Sequence, residues 1–176
     1  LSERLHRAAW LFLAALFVFT GVGIGAISVW QSMHTNNNST SQTNQAKDTN
    51  VNNKLAGTKL QNFTPVAKID TLQKIDEKVG TGAEATANST VTAHYTGAVA
   101  ATGIIFQSSY DSGQPVPFSL SQVIKGWSEG VPGMKVGGTR RLLIPAALAY
   151  GANPPAGSGI PPNADLVFDI TLVAVQ

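Results

Sequence analysis

No cysteine occurs among the 176 residues. That single absence removes disulfides, thiolate nucleophiles, thiolate metal sites and a lipid-modified cysteine. Charge is sparse too, with Asp, Glu, Lys and Arg making up 12% of the chain and a net charge of +2. Residues 1–60 hold Arg4, Arg7, Lys47, Lys54 and Lys59 against Glu3 and Asp48. Residues 61–176 hold one more acidic residue than basic ones. The excess of positive charge therefore belongs to the N-terminal part. The remainder has no basic face for DNA or RNA, and no nucleic-acid partner is expected.

The familiar catalytic constellations are missing as well. His94 is the only histidine after residue 61, in a stretch with strand periodicity, where it is expected to face solvent or the second face of a sheet. Asp111, Glu129, Asp165 and Asp169 show no Glu-x-x-His or Asp-x-Asp spacing. No serine stands in Gly-x-Ser-x-Gly, and Gly137-Gly138-Thr139 follows nothing like a phosphate loop. No metal and no cofactor are expected. An enzyme built from these residues works without a nucleophile or a strong base.

What is present falls into segments. Residues 1–30 contain an uncharged stretch from Ala8 to Trp30, rich in Leu, Phe, Val, Ile, Ala and Gly. At about 1.5 Å per residue, these 23 residues make a helix of about 34 Å, against a hydrocarbon core of about 30 Å. Trp10 and Trp30 stand near its ends, where indoles favour the interface. Arg4 and Arg7 precede it, and the next basic residue is Lys47. The positive-inside rule then places the N-terminal stub in the cytoplasm and the rest outside. The expectation is one transmembrane signal anchor, giving a membrane-anchored protein with an extracytoplasmic domain. A cleaved signal peptide is the competing reading. It is disfavoured because such apolar regions usually run about 7–15 residues and no clear small-x-small site follows.

Residues 31–54 turn to Asn, Thr, Ser and Gln. They offer too little apolar surface to offset the entropy of ordering, and read as a flexible tether. Residues 55–65 read either as a linker or as a leading strand. Residues 66–176 read as a folded domain, mostly β. Val91, Ala93 and Tyr95 alternate with polar neighbours, Leu142 and Ile144 do the same, and Leu166, Phe168, Ile170 and Leu172 mark a longer strand. Another strand is expected from Lys74 to Val79. One short helix is expected, with Ser121 as its N-cap and Val123, Ile124 and Trp127 on one face. Gly130 and Pro132-Gly133 end it. Strands in series with one helix imply an α+β fold, an antiparallel sheet wrapped around that helix.

The chemistry must then reside in apolar and aromatic side chains on short elements: Tyr95, Phe106, Phe118, Val123, Ile124, Trp127, Tyr150, Ile160 and Phe168. Taken singly, each is better read as core. Trp127 and Tyr150 shift the balance, because each carries a polar handle and lies near glycine-rich turns. Apolar hollows with a few placed donors suit small ligands and proline rings.

Seven blocks, in order, carry a resemblance: His94-Tyr95-Thr96-Gly97, Phe106-Gln107-Ser108-Ser109, Val123-Ile124-Lys125-Gly126-Trp127, Gly130-Val131-Pro132-Gly133-Met134, Pro145 with Ala149-Tyr150-Gly151, Ile160-Pro161-Pro162-Asn163-Ala164, and Leu166-Val167-Phe168-Asp169. Residues 66–176 resemble the FKBP-type peptidyl-prolyl cis-trans isomerases, the family that binds macrolide immunosuppressants. The resemblance implies a five- to six-stranded antiparallel half-barrel around one short helix. It also implies acceleration of X–Pro bond rotation, with proline-containing polypeptides as partners. By similarity, Trp127 floors the pocket and Tyr95, Phe106 and Phe168 wall it. Val123 and Ile124 form a rim, with the Ile124 N–H as a donor. Tyr150 offers its hydroxyl to a substrate carbonyl, Ile160 closes the pocket from the long loop, and Val116 and Phe118 complete the substrate-binding set. Gln107 stands where the family often has Asp, and Val116 where some members have a second aromatic. The loop from Ala152 to Pro162 also departs slightly in length. A monomer is expected. A non-catalytic chaperone or docking module on the same scaffold is the alternative, and an adhesive surface domain a third reading.

Overall fold

The computed structural model describes residues 54–176. The expected anchor (residues 8–30) and all of the expected tether except Lys54 lie outside the described residues. Among the described residues no helix is long and apolar enough to cross a membrane.

Six strands form one antiparallel sheet: β1 (Gln73–Lys78), β2 (Thr90–Val99), β3 (Ile105–Ser108), β4 (Val116–Ser119), β5 (Thr139–Ile144) and β6 (Leu166–Val175). Their order is β1-β5-β6-β2-β3, with β4 also paired to β2. The longest ladder joins β2 to β6, from Val91 opposite Val175 to Val99 opposite Leu166. Their alternating sequences explain the central place. Val91, Ala93, Tyr95, Leu166, Phe168, Ile170 and Leu172 are all buried and turn to one side. β1 is exposed along its whole length, and Lys74, Asp76, Glu77 and Lys78 keep that edge from pairing with another chain.

One helix, α1 (Lys125–Gly130), crosses the inner face. It starts later than the sequence suggests. Ile124, extended at φ −59° and ψ 150°, occupies the N-cap position without a side-chain cap. Ser121 caps nothing; its hydroxyl lies 2.9 Å from that of Ser119. Val123 and Ile124 therefore precede the helix instead of sharing its face with Trp127. Two glycines let α1 lie flat on β5. A Cβ on Gly126 would sit 2.4 Å from Ile144 Cγ2, and one on Gly130 would sit 2.6 Å from Leu142 Cδ1. Arg140, buried at 7% exposure, donates to the carbonyl of Gly130 at 2.7 Å and forks onto Asp76 at 2.6 and 3.0 Å. The C-terminal end of α1 is thereby fastened to both β5 and β1.

The sheet carries a second apolar layer on its outer face. Leu60 and Ile69, with half-buried Leu55 and Phe63, cover Ala98, Ala100, Ile105, Leu143 and Val167. Residues 55–69, which contain the expected linker or leading strand 55–65, thus pack as a strap, with one isolated β-bridge, Lys59 to Ile104. Arg141 fastens it: Nε and Nη2 fork onto Asp169 at 2.6 and 2.7 Å while Nη1 donates to the Asn62 carbonyl at 2.6 Å. The same guanidinium lies 5.6 Å over the Phe63 ring. Asp165 holds the far end, accepting the Ile69 and Ala146 N–H groups at 2.7 Å each.

Candidate functional site

The inner face brings five of the expected aromatic residues into one cluster. Trp127 projects from α1 and lies edge-on to Phe118 (5.0 Å between ring centres), Phe168 (5.5 Å) and Tyr95 (5.8 Å). Phe106 meets Phe168 at 5.7 Å with an interplanar angle of 82°. Tyr95 and Phe118 are 5.5 Å apart. Such edge-to-face arrays fix each ring against its neighbours. Each ring is held by a different element: β2, β3, β4, α1 and β6 in order of sequence. Trp127, Tyr95 and Phe168 are nearly buried, whereas Phe106 and Phe118 are half-buried and pack against them.

Gly97 sets how closely these walls approach. A Cβ there would fall 2.6 Å from Phe106 Cζ and 2.7 Å from Phe168 Cε1. The glycine occupies the spot where the two phenylalanine edges meet. Sequence reasoning named Gly97 as part of a motif and missed this steric role.

Register explains Gln107. Gly97 pairs with Gln107 and Ala98 with Ile105, so Phe106 is the extra residue of a β-bulge. Directly opposed residues share a face of the sheet. Gln107 therefore turns to the same side as Gly97, and Phe106 sends its ring there as well. Consecutive residues of a regular strand would have pointed oppositely. Ser108 and Thr96, the next pair, return to the outer face with their hydroxyls 2.9 Å apart.

The 3-10 turn Ser109–Asp111 follows β3 directly. Ser109 Oγ accepts the Tyr95 N–H at 2.9 Å, stitching this turn to the strand that carries the tyrosine. His94 stays on the outer face, 3.1 Å from Ser109 Oγ and stacked on Tyr110 at 4.5 Å. It takes no part in the aromatic cluster, as its strand position implied.

Val116, Val123, Ile124 and Tyr150 are half-buried residues packed against the main core, and Ile160 is buried within it. The second 3-10 turn, Ala146–Leu148, and Gly151 at φ 55° carry the chain around Tyr150. Asn163 donates to the Gly151 carbonyl at 2.7 Å and ties the end of the long loop back to that turn. Among the described residues the Tyr95 and Tyr150 hydroxyls, the Trp127 indole N–H, the Gln107 side-chain amide and the Ile124 N–H have no protein partner. No polar side-chain atom there is both fully buried and unpartnered, so both hydroxyls reach open space.

None of the side chains assigned to the site carries a formal charge. Burial, with smaller contributions from Tyr150 and Asp111, pushes the Tyr95 phenol above its ordinary range. Burial alone raises Tyr150. Both phenols therefore keep their protons and remain donors near neutral pH. Among the described residues no group of His, Asp or Glu could hold a metal ion.

The family model for FKBP-type peptidyl-prolyl cis-trans isomerases matches residues 82–173. Peptidyl-prolyl cis-trans isomerase FPR2 of Saccharomyces cerevisiae is 52% identical over 88 residues, which cover 49% of this chain and 64% of the yeast protein. FkpA of Aeromonas hydrophila, an FKBP-type peptidyl-prolyl cis-trans isomerase, is 50% identical over 105 residues, covering 60% of this chain but 38% of that protein. The chain thus spans less than two thirds of both relatives. A crystal structure of a peptidyl-prolyl cis-trans isomerase from Pseudomonas syringae superposes with a TM-score of 0.55 at 37% identity, over 62% of this chain and 78% of that one. That of FkpA from Escherichia coli gives 0.55 at 40% identity, over 60% and 48%.

Proposed function

Because this chain belongs to the FKBP-type peptidyl-prolyl cis-trans isomerase family, we propose that it accelerates rotation about X–Pro bonds in polypeptides, with the aromatic cluster as its site. The observation that carries the reading is the junction of Trp127, Tyr95, Phe168 and, through Phe168, Phe106 from four separate elements, all within 6 Å ring to ring.

The barrier to peptide rotation is about 18–20 kcal/mol, because the planar amide is resonance-stabilised. The two X–Pro isomers differ little in energy, so exchange is limited by that barrier. Twisting the bond removes C–N conjugation and reduces charge separation, so a weakly polar surrounding favours the twisted form over the planar one. Stabilisation of that form over the ground state is what speeds the step. A 1,000-fold gain needs about 4 kcal/mol of such preference. Trp127 floors the pocket under the proline ring. Tyr95, Phe106 and Phe168 keep water from the imide, with Phe118 and Val116 behind them. Val123 and Ile124 form the rim, and Ile160 closes the loop side. The unpartnered Ile124 N–H and Tyr150 hydroxyl donate to the carbonyls that flank the bond and hold the twist. Gln107 offers a neutral amide beside them. No proton changes hands and no bond breaks.

The clients in this reading are proline-containing proteins folding outside the cytoplasmic membrane, reached by a monomer anchored through residues 8–30. Macrolide immunosuppressants would compete for the same pocket. A docking module without catalysis would also hold proline segments, but nothing in the geometry favours it.

The test is refolding of a substrate protein whose slow phase is X–Pro isomerisation, a step of about 10–100 s at 25 °C without a catalyst. The full chain is expected to shorten that phase in proportion to its concentration. A slow phase that the chain leaves untouched defeats the proposal. For placement, external protease added to intact cells is expected to remove the domain; a protected domain contradicts the orientation.

A further inference from the structure

Resting on the catalytic reading above, we propose that the strap Leu55–Ile69 is part of the working site, with Asp111 as the positioning residue that sets the Phe106 wall through it. β3 has only four residues, and β2 pairs with one of its edges. The strap occupies the other. Gly57 N–H donates to the Ile105 carbonyl, Ile105 N–H to the Thr58 carbonyl and Leu60 N–H to the Gly103 carbonyl, each at 2.8 Å. Without these bonds, β3 would be a short bare edge.

The bulge makes this matter for the pocket. Phe106 is the residue left out of the β2–β3 register, so no directly opposed residue of β2 fixes its position. Its neighbour Ile105 is gripped from the strap side, by two backbone bonds and by burial against Leu60 and Ile69. Beyond the other end of β3, the Asp111 carboxylate accepts the N–H groups of Leu55 and Ala56. The strap therefore spans β3 from Gly103 to the 3-10 turn, and Asp111 fastens its leading end. All of residues 55–69 precede the stretch matched by the family model.

The experiment uses the full chain and three variants: Asp111→Ala, Asp111→Asn, which keeps an acceptor oxygen, and Leu60→Ala, which loosens the strap at a distance from Asp111. Two quantities are read well below the unfolding temperature: kcat and KM on a proline peptide, and hydrogen exchange of the Ile105 amide. Displacement of a positioning wall is expected to lower kcat/KM about fivefold or more in Asp111→Ala, mainly through kcat. Ile105 exchange is expected to quicken in step, Asp111→Asn to recover at least part of both, and Leu60→Ala to move both in the same direction. Faster Ile105 exchange with unchanged kcat/KM makes the strap a covering layer only and overturns the inference. Lost activity with unchanged Ile105 exchange overturns it too, because Asp111 then acts by another route. An inactive wild-type chain instead overturns the underlying isomerase reading.

Discussion

Replacing Gly97 with alanine adds one methyl group at the point where two pocket walls touch. The new carbon would lie 2.6 Å from Phe106 Cζ and 2.7 Å from Phe168 Cε1, whereas carbon atoms rest at about 3.5–4.0 Å. Gly97 has no positive φ, so alanine carries no backbone strain there and the effect is steric. Both contacts are too short, so both rings must retreat, each by about 1 Å, to restore that spacing. Phe168 is buried at 5% exposure on β6, between β5 and β2, and retreats only by pressing on the Trp127 ring packed against it. Phe106 is half-buried on the four-residue β3 and yields. Overpacking of this kind costs about 1–3 kcal/mol. A wall displaced by about 1 Å, in contrast, can cost up to about 100-fold in rate. Gly97→Ala is therefore expected to lower kcat/KM for a proline peptide at least tenfold while the chain stays folded. Thermal unfolding followed beside a protease-coupled isomerisation assay separates the two effects. Wild-type kcat/KM in a folded Gly97→Ala protein would refute the assignment of Phe106 and Phe168 as facing walls.

Tyr150→Phe removes one hydroxyl donor without changing shape; a hydrogen bond of about 0.5–1.5 kcal/mol in the transition state corresponds to a two- to tenfold loss in kcat, with the unfolding temperature unchanged. An unaltered kcat would show that the hydroxyl is idle. Because burial raises both Tyr95 and Tyr150, their phenols are protonated below and above neutrality, and kcat/KM is expected to be flat from about pH 6 to 9; a titration midpoint inside that window contradicts a neutral site. Asp76 is held below the ordinary carboxylate range, first by its hydrogen bonds from Arg140 and then by the positive charges of Arg140 and Lys74, against an opposing effect of burial. Its contribution to stability is present above the unfolded-state value and is lost as pH falls through the lower folded-state value. The stability gap between wild type and Asp76→Asn is therefore expected to shrink below about pH 4; a gap that widens on acidification reverses the sign and refutes it.

The strands were legible because one buried face imposes a period of two. Val91 to Tyr95 and Phe168 to Leu172 show it without interruption, and both lie in the central ladder. The site residues on them were legible for the same reason. What escaped sequence reading depends on partners far along the chain. The bulge at Phe106 exists only in the pairing with β2, so nothing local to β3 announces that Gln107 turns inward. Helix α1 begins at Lys125 and not after Ser121, because Ile124 is held extended. Residues 55–69 carry no strand period; their order comes from backbone bonds to β3 and from Arg141 and Asp165. The close approach at Gly97 is likewise a three-dimensional fact about two distant phenylalanines.

The most direct measurement follows a proline peptide by exchange NMR while the indole signals of the chain are observed. The account requires faster cis–trans exchange of the peptide and a saturable shift of the Trp127 indole, with both effects displaced by the same competing ligand. Exchange at the buffer rate, or catalysis that leaves the Trp127 signal unmoved, would contradict it.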